Sequence, residues 1–173
     1  LKHEWRAPFH GEADLEKKLI RSVGDPNWRF QEDYLRILRA LRFSARFGFR
    51  IHGPTLEAAK ANVAGLTHLS AERVRDEWFK GIVTATRVSK LLALWLEVGA
   101  IRIWLPEILG HGGTRGDAEE SRRKRELDAL PRDPVLITAL LSRDPAASLT
   151  RLKCSNQEVE RSRAIGHWRD KYP

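Results

Sequence analysis

Three Asp-Pro pairs, Asp25-Pro26, Asp133-Pro134 and Asp144-Pro145, divide the chain into helix starts. Asp accepts a hydrogen bond from the free N–H groups of a first turn, and proline's fixed φ suits the first helical position. Gly53-Pro54 places a further proline in the same way, Ser70 is another N-cap candidate, and Ser155-Asn-Gln-Glu158 has the spacing of a capping box. Apolar residues after these starts recur at intervals of three and four, as in Tyr34/Leu38/Leu41/Ala45, Val74/Trp78/Ile82 and Leu91/Leu94/Trp95/Val98. Two-residue alternation is scarce. The pattern predicts an all-α chain with helices over 13–21, 29–47, 54–63, 70–83, 88–98, 117–129, 134–142, 145–152 and 155–169.

At 173 residues the chain has room for about one ordinary domain or two small ones. A formal net charge of +8 makes a polyanion the first partner to consider. Cys154 is the lone cysteine, which rules out an internal disulfide framework and any cysteine-rich zinc site. No apolar run approaches the ~20 residues of a membrane span, and no basic-then-apolar leader opens the chain. A cytoplasmic location without membrane contact is the expectation. His3, His10, His52, His68, His111 and His167 show neither metal-ligand spacing nor a His-Asp dipeptide. Gly110-His-Gly-Gly-Thr-Arg-Gly116 lacks the order of a phosphate-binding P-loop and reads as a surface linker. The mixed-charge run Glu119–Glu126 reads as a solvated helix face. Trp28, Trp78, Trp95, Trp104 and Trp168 sit at apolar helical positions or helix ends and are expected in the core rather than as base-stacking platforms; Trp5 fits no pattern.

The stretch Arg29-Phe-Gln-Glu-Asp-Tyr-Leu-Arg-Ile-Leu-Arg-Ala-Leu-Arg-Phe-Ser-Ala-Arg-Phe-Gly48 carries the chemistry. At ~100° per residue, Tyr34, Ile37, Leu38, Leu41 and Ala45 share one arc. Asp33, Arg36, Arg39, Arg42 and Arg46 share the opposite arc, with Leu35 and Phe43 falling among the arginines. Arginines three apart repel one another, so the stripe suggests an anionic ligand. A carboxylate only accepts hydrogen bonds and a guanidinium only donates them. Adenine and cytosine each present an amino donor beside a ring-nitrogen acceptor, whereas guanine and uracil present the reverse order. An Asp33/Arg36 pair therefore suits A or C and opposes G or U, each mismatched polar group costing about 1–3 kcal/mol. Arg39 and Arg42 stand where ribose or phosphate oxygens would follow.

These residues resemble a known family. Ile20-Arg-Ser-Val-Gly-Asp-Pro26, Arg29-Phe-Gln-Glu-Asp-Tyr-Leu-Arg36-Ile-Leu-Arg-Ala-Leu-Arg-Phe43 and Phe47-Gly-Phe49 resemble the class II tRNA nucleotidyltransferases, the CCA-adding enzymes and their poly(A) polymerase relatives. Leu69-Ser-Ala-Glu-Arg-Val-Arg-Asp-Glu77 resembles the next motif, and Val98-Gly-Ala, Trp104-Leu-Pro-Glu107 and Leu152-Lys-Cys-Ser-Asn156 resemble later helical segments. The resemblance runs from about residue 14 to the end.

It implies a helical neck followed by a helical, RNA-contacting body: 1–13 as a remnant or linker, 14–85 as the neck, 86–173 as the body. It also implies that Asp33 and Arg36 form the amino-acid template for ATP and CTP. Arg39 and Arg42 would belong to the nucleotide-binding set, with Arg73 and Glu77 bracing the template helix. The implied partners are a tRNA or other RNA 3′ end, ATP and CTP, and a catalytic head domain in cis or trans. The family's head carries an Asp-x-Asp metal pair, which aligns the attacking 3′-hydroxyl and neutralises charge. No Asp-x-Asp pair occurs in these 173 residues, and Leu1–Glu12 does not match the stretch that precedes Asp14 in the family. No catalytic or metal-ligating residue is therefore assigned to this chain. Mg2+ is expected only with a head domain, and the chain alone is expected to be inactive. The alternative is a non-catalytic, basic helical RNA-binding module derived from the same family.

Overall fold

A computed structural model describes residues 10–108 and 117–171. The glycine-rich segment 110–116, His3, Trp5 and His111 lie outside the described residues. The fold is all-α. Helices α1 (Gly11–Glu16), α2 (Pro26–Glu32), α3 (Leu35–Phe47), α4 (Gly53–Ala61), α5 (Ala71–Thr84) and α6 (Val88–Val98) are followed by α7 (Ala100–Trp104), α8 (Asp117–Ala129), α9 (Pro134–Leu141), α10 (Pro145–Arg151) and α11 (Asn156–Lys171). Short 3-10 segments at Val63–His68 and Pro106–Ile108 join α4 to α5 and follow α7.

The punctuation acts as the sequence predicts. Asp25, Asp133 and Asp144 each accept a hydrogen bond from the N–H three residues on, with proline in the first turn, and Ser70 caps α5 through the Arg73 N–H. The Ser155/Glu158 box is reciprocal: the Ser155 N–H donates to Glu158 Oε2 at 2.7 Å and the Glu158 N–H to Ser155 Oγ at 3.3 Å. Each cap satisfies donors that a helix start leaves open.

Three expectations need correction. The predicted helix over 29–47 is two helices, broken at Asp33, whose backbone is extended (φ −156°, ψ 105°). Its carboxylate takes the Leu35 N–H at 3.0 Å, the competition with backbone bonding that makes Asp a helix breaker and starter. The predicted helix over 13–21 ends at Glu16, and Leu19–Ile20 (β1) pairs in parallel with Arg50–Ile51 (β2), tying the segment before α2 to the end of α3. Two tryptophans expected in the core lie on the surface: Trp28 is 67% exposed and Trp168 64%.

The core forms where α3 packs on α5 and α6. Leu38 and Leu41 of α3, Val74, Trp78 and Ile82 of α5, and Leu91 and Trp95 of α6 are fully buried. Trp78 and Trp95 meet with ring centroids 4.7 Å apart, and the Trp78 indole N–H donates to Thr138 Oγ1 of α9 at 2.9 Å. No residue of α8 is fully buried, as its mixed charge predicts, although Leu127 packs against the core from the last turn. Cys154 is half-buried, and burial pushes its thiol up to about 11. Among the described residues no helix is long and apolar enough to cross a membrane.

Candidate functional site

The break between α2 and α3 sets the site. Because Asp33 leaves helical geometry, its carboxylate sits at the start of α3 rather than on the side of a continuous helix. Oδ1 accepts the Leu35 N–H, and Arg73 Nη2 from α5 donates to both carboxylate oxygens at 3.2 and 3.3 Å. The Asp33 side chain keeps 33% of its surface exposed.

Arg36 stands one residue into α3. Its Nη1 donates to Glu32 Oε2 at 2.6 Å and to the Arg29 carbonyl at 3.1 Å, both across the break. Glu32 also receives Arg29 Nη1 at 2.6 Å and the Trp28 indole N–H at 3.1 Å. The hydrogen bond from Arg36, opposed by burial and helped by Arg29, holds the Glu32 carboxyl below the ordinary glutamate value. Both contacts of Arg36 use Nη1, so Nη2 and Nε are the donors directed elsewhere.

Arg39, one turn on, is exposed. Arg42 differs from it, since its Nε donates to Glu77 Oε2 at 2.6 Å and the two side chains are only 11% and 8% exposed. Four of the six residues named by the family resemblance thus meet in two ion pairs that tie α3 and its start to α5, Asp33 with Arg73 and Arg42 with Glu77, while Arg36 and Arg39 stand outside them. Glu32 and Trp28 had no assigned part in the site from sequence alone. Their signal was the four-residue spacing Trp28/Glu32/Arg36, which aligns them across the α2–α3 junction.

Asp14 of the pair Asp14/Glu16 is held by Arg21 through two hydrogen bonds of 2.8 and 3.1 Å, which keep its carboxyl below the usual aspartate value. Asp117 and Glu119 lie on the solvated α8, and no group of three or more His, Cys, Asp or Glu stands together among the described residues. A cleft of about 450 Å³ lies between α9 and α11, lined by Leu136, Leu140, Ile165 and the exposed Trp168.

Known proteins similar to this helical chain are RNA-processing enzymes. A family model described as "Probable RNA and SrmB- binding site of polymerase A" matches residues 48–110. The CCA-adding enzyme of Oceanobacillus iheyensis is 48% identical over 84 residues, 49% of this chain and 21% of that protein. The multifunctional CCA protein of Aliivibrio salmonicida is 41% identical over 106 residues, 58% of this chain and 25% of that protein. The crystal structure of the Bacillus stearothermophilus CCA-adding enzyme in complex with CTP superposes with a TM-score of 0.71 at 27% identity, over 96% of this chain and 42% of that one. The Thermotoga maritima CCA-adding enzyme complexed with tRNA shares the fold at a TM-score of 0.54 and 20% identity, over 91% of this chain and 50% of that one. The chain is similar over part of its length to class II CCA-adding enzymes and their poly(A) polymerase relatives, and it spans 21% and 25% of the length of these two curated relatives.

Proposed function

We propose that the chain is the base-reading neck and RNA-contacting body of an enzyme that adds C or A to an RNA 3′ end, with residues 14–85 as neck and 86–173 as body. Asp33 and Arg36 select the incoming base. The observation that carries the reading is their setting at the α2–α3 break. One offers a carboxylate steadied by Arg73, the other a guanidinium steadied by Glu32, and each stays partly exposed. The amino group of adenine or cytosine donates to Asp33, and the adjacent ring nitrogen accepts from Arg36. Guanine and uracil would set a carbonyl against the carboxylate and an N–H against the guanidinium. Such a mismatch leaves two polar groups unpaired, which is how a rigid site rejects an isosteric ligand.

Arg39 is placed for ribose or phosphate oxygens. Arg42 contributes its remaining guanidinium donors while Glu77 holds its orientation, and Arg73 and Glu77 act as positioning residues for the template helix. The transfer chemistry belongs to a catalytic head domain that supplies the metal-binding carboxylates and Mg2+. The basic body, at a formal net charge of +8 for the whole chain, docks the RNA. The experiment is an amide NMR titration of the chain with ATP, CTP, GTP and UTP, with Arg36→Ala alongside. Shifts confined to residues 33–42 and produced by ATP and CTP only, lost in Arg36→Ala, are expected. Equal shifts with all four nucleotides would reduce the stripe to a phosphate binder and leave the RNA-binding module as the better reading.

A further inference from the structure

The far end of α3 displays an aromatic stack that the core does not use. Phe47 is 50% exposed, and Phe43 and Phe49 are half-buried outside the core cluster. The rings of Phe43 and Phe47 lie 6.0 Å apart with 8° between their planes, and those of Phe47 and Phe49 lie 5.8 Å apart at 47°. Local structure holds this stack in place. Phe43 and Phe47 are neighbours at i,i+4 on the helix. Gly48 then adopts the left-handed conformation (φ 70°) and turns the chain so that Phe49 returns beside Phe47. The Phe49 carbonyl is anchored twice, by Ser44 Oγ at 2.6 Å and by Lys90 Nζ at 2.7 Å.

The cations around the stack say what it faces. Between Tyr34 and Leu56 the sequence holds no Asp or Glu. The guanidinium carbons of Arg42 and Arg46 sit 4.3 and 5.3 Å from the ring centroids of Phe43 and Phe47, and the exposed Arg50 follows Phe49. Glu77, the acid that reaches this helix from α5, is already paired with Arg42. An exposed aromatic surface under arginines suits a ligand that is both anionic and flat-faced. Unpaired nucleotides have both properties: phosphates for the guanidinium groups, base faces for the rings. A duplex presents phosphates but keeps its base faces stacked inside, and an acidic peptide lacks the flat faces.

We infer that the Phe43–Phe47–Phe49 stack, flanked by Arg46 and Arg50, is a stacking surface for the unpaired bases of a single-stranded RNA segment. Phe47 is roughly 16 Å along the helix axis from Arg36 at 1.5 Å per residue. The surface is therefore distinct from the base-reading pair and takes nucleotides of the RNA strand. It extends the RNA-contacting role proposed above, and its test separates the two.

The test is fluorescence anisotropy with the 173-residue chain and two labelled probes: a single-stranded RNA octamer and a blunt RNA hairpin with the same number of phosphates, its strands joined by a non-nucleotide linker so that no base is unpaired. Phe47→Ala removes the ring. Phe47→Leu keeps apolar bulk but has no π face. Both variants are expected to lose about tenfold or more of the octamer affinity, with hairpin binding within about twofold of wild type and an unchanged circular dichroism spectrum. Wild-type octamer affinity in both variants overturns the proposal, as does absence of octamer binding by the unmodified chain. Retention by Phe47→Leu alone overturns it too, because that marks an apolar protein-docking face. An equal loss on the hairpin does the same. The nucleotide titration at residues 33–42, repeated on Phe47→Ala, is expected to match wild type. Failure of base selectivity there with the octamer result intact defeats the template reading alone.

Discussion

A Cβ placed on Gly65 would lie 2.0 Å from Cε1 of Tyr34 and 2.2 Å from its Cδ1, inside the ring's own volume. Glycine is required there by the close approach of the ring, which also stacks on His68 with centroids 5.9 Å apart. Tyr34 directly follows Asp33, so the contact fixes the residue beside the carboxylate proposed to read the base. Gly65→Ala is expected to destabilise by about 1–3 kcal/mol through overpacking and to shift the amide resonances of Asp33 and Leu35. Gly48 makes the opposite case. Nothing lies within 4 Å of an added Cβ, but its φ of 70° disfavours any side chain. Gly48→Ala should therefore destabilise by about 1 kcal/mol without moving the Asp33 resonance. Urea unfolding of both variants, read with their amide spectra, checks the pair; a Gly65→Ala protein as stable as wild type would sink the packing argument.

At the scale of elements, α3 and α5 are joined by apolar packing and by the ion pair of Arg42 with Glu77, whose side chains are 11% and 8% exposed. Removing one partner of such a pair leaves an uncompensated, poorly solvated charge, which typically costs about 3–5 kcal/mol. Glu77→Ala should lower stability by roughly that amount, and Glu77→Gln by less because its amide oxygen still accepts from Arg42 Nε. Chemical denaturation distinguishes them, and equal stability of the two variants would mean the charge has no part in docking α5. The helix starts were legible because a cap is local: Asp25, Asp133 and Asp144 each bond an N–H three residues away. The break at Asp33 was not, because periodicity runs through it, and what holds the bent arrangement is Arg73, distant in sequence. The β1–β2 pairing is two residues long on each side, too short for alternation to show. Trp28 and Trp168 were misplaced because apolar spacing identifies a face without saying whether anything covers it. The candidate site was legible as residue types on one arc; its division into the pairs Asp33–Arg73 and Arg42–Glu77 needed the fold.

Across the whole molecule one buried cluster runs from Phe30 to Leu152, so the proposed neck and body share a core and should unfold together. Two partly buried acids link the later helices to that core. Glu107 accepts from Arg151 Nη1 and Ser148 Oγ of α10, and Asp133 accepts from Arg161 of α11. Burial alone would raise both carboxyls, yet the arginine hydrogen bonds hold each below its ordinary value, 4.5 for Glu107 and 3.8 for Asp133. A carboxyl depressed in the folded state stabilises it fully above its unfolded value, and that contribution is lost as pH falls through the folded one. Thermal stability is therefore expected to be level near neutrality and to decline as pH drops below about 4.5. Arg151→Gln removes the charge that depresses Glu107 and leaves burial to raise it. That variant should be less stable at pH 7 and show a flatter decline between pH 5 and pH 3. Because Trp78 and Trp95 lie at the centre of the cluster, tryptophan fluorescence and far-ultraviolet circular dichroism should report the same midpoint at every pH. Separate midpoints would show that the later helices α8 to α11 unfold independently of the core that positions Asp33 and Arg36.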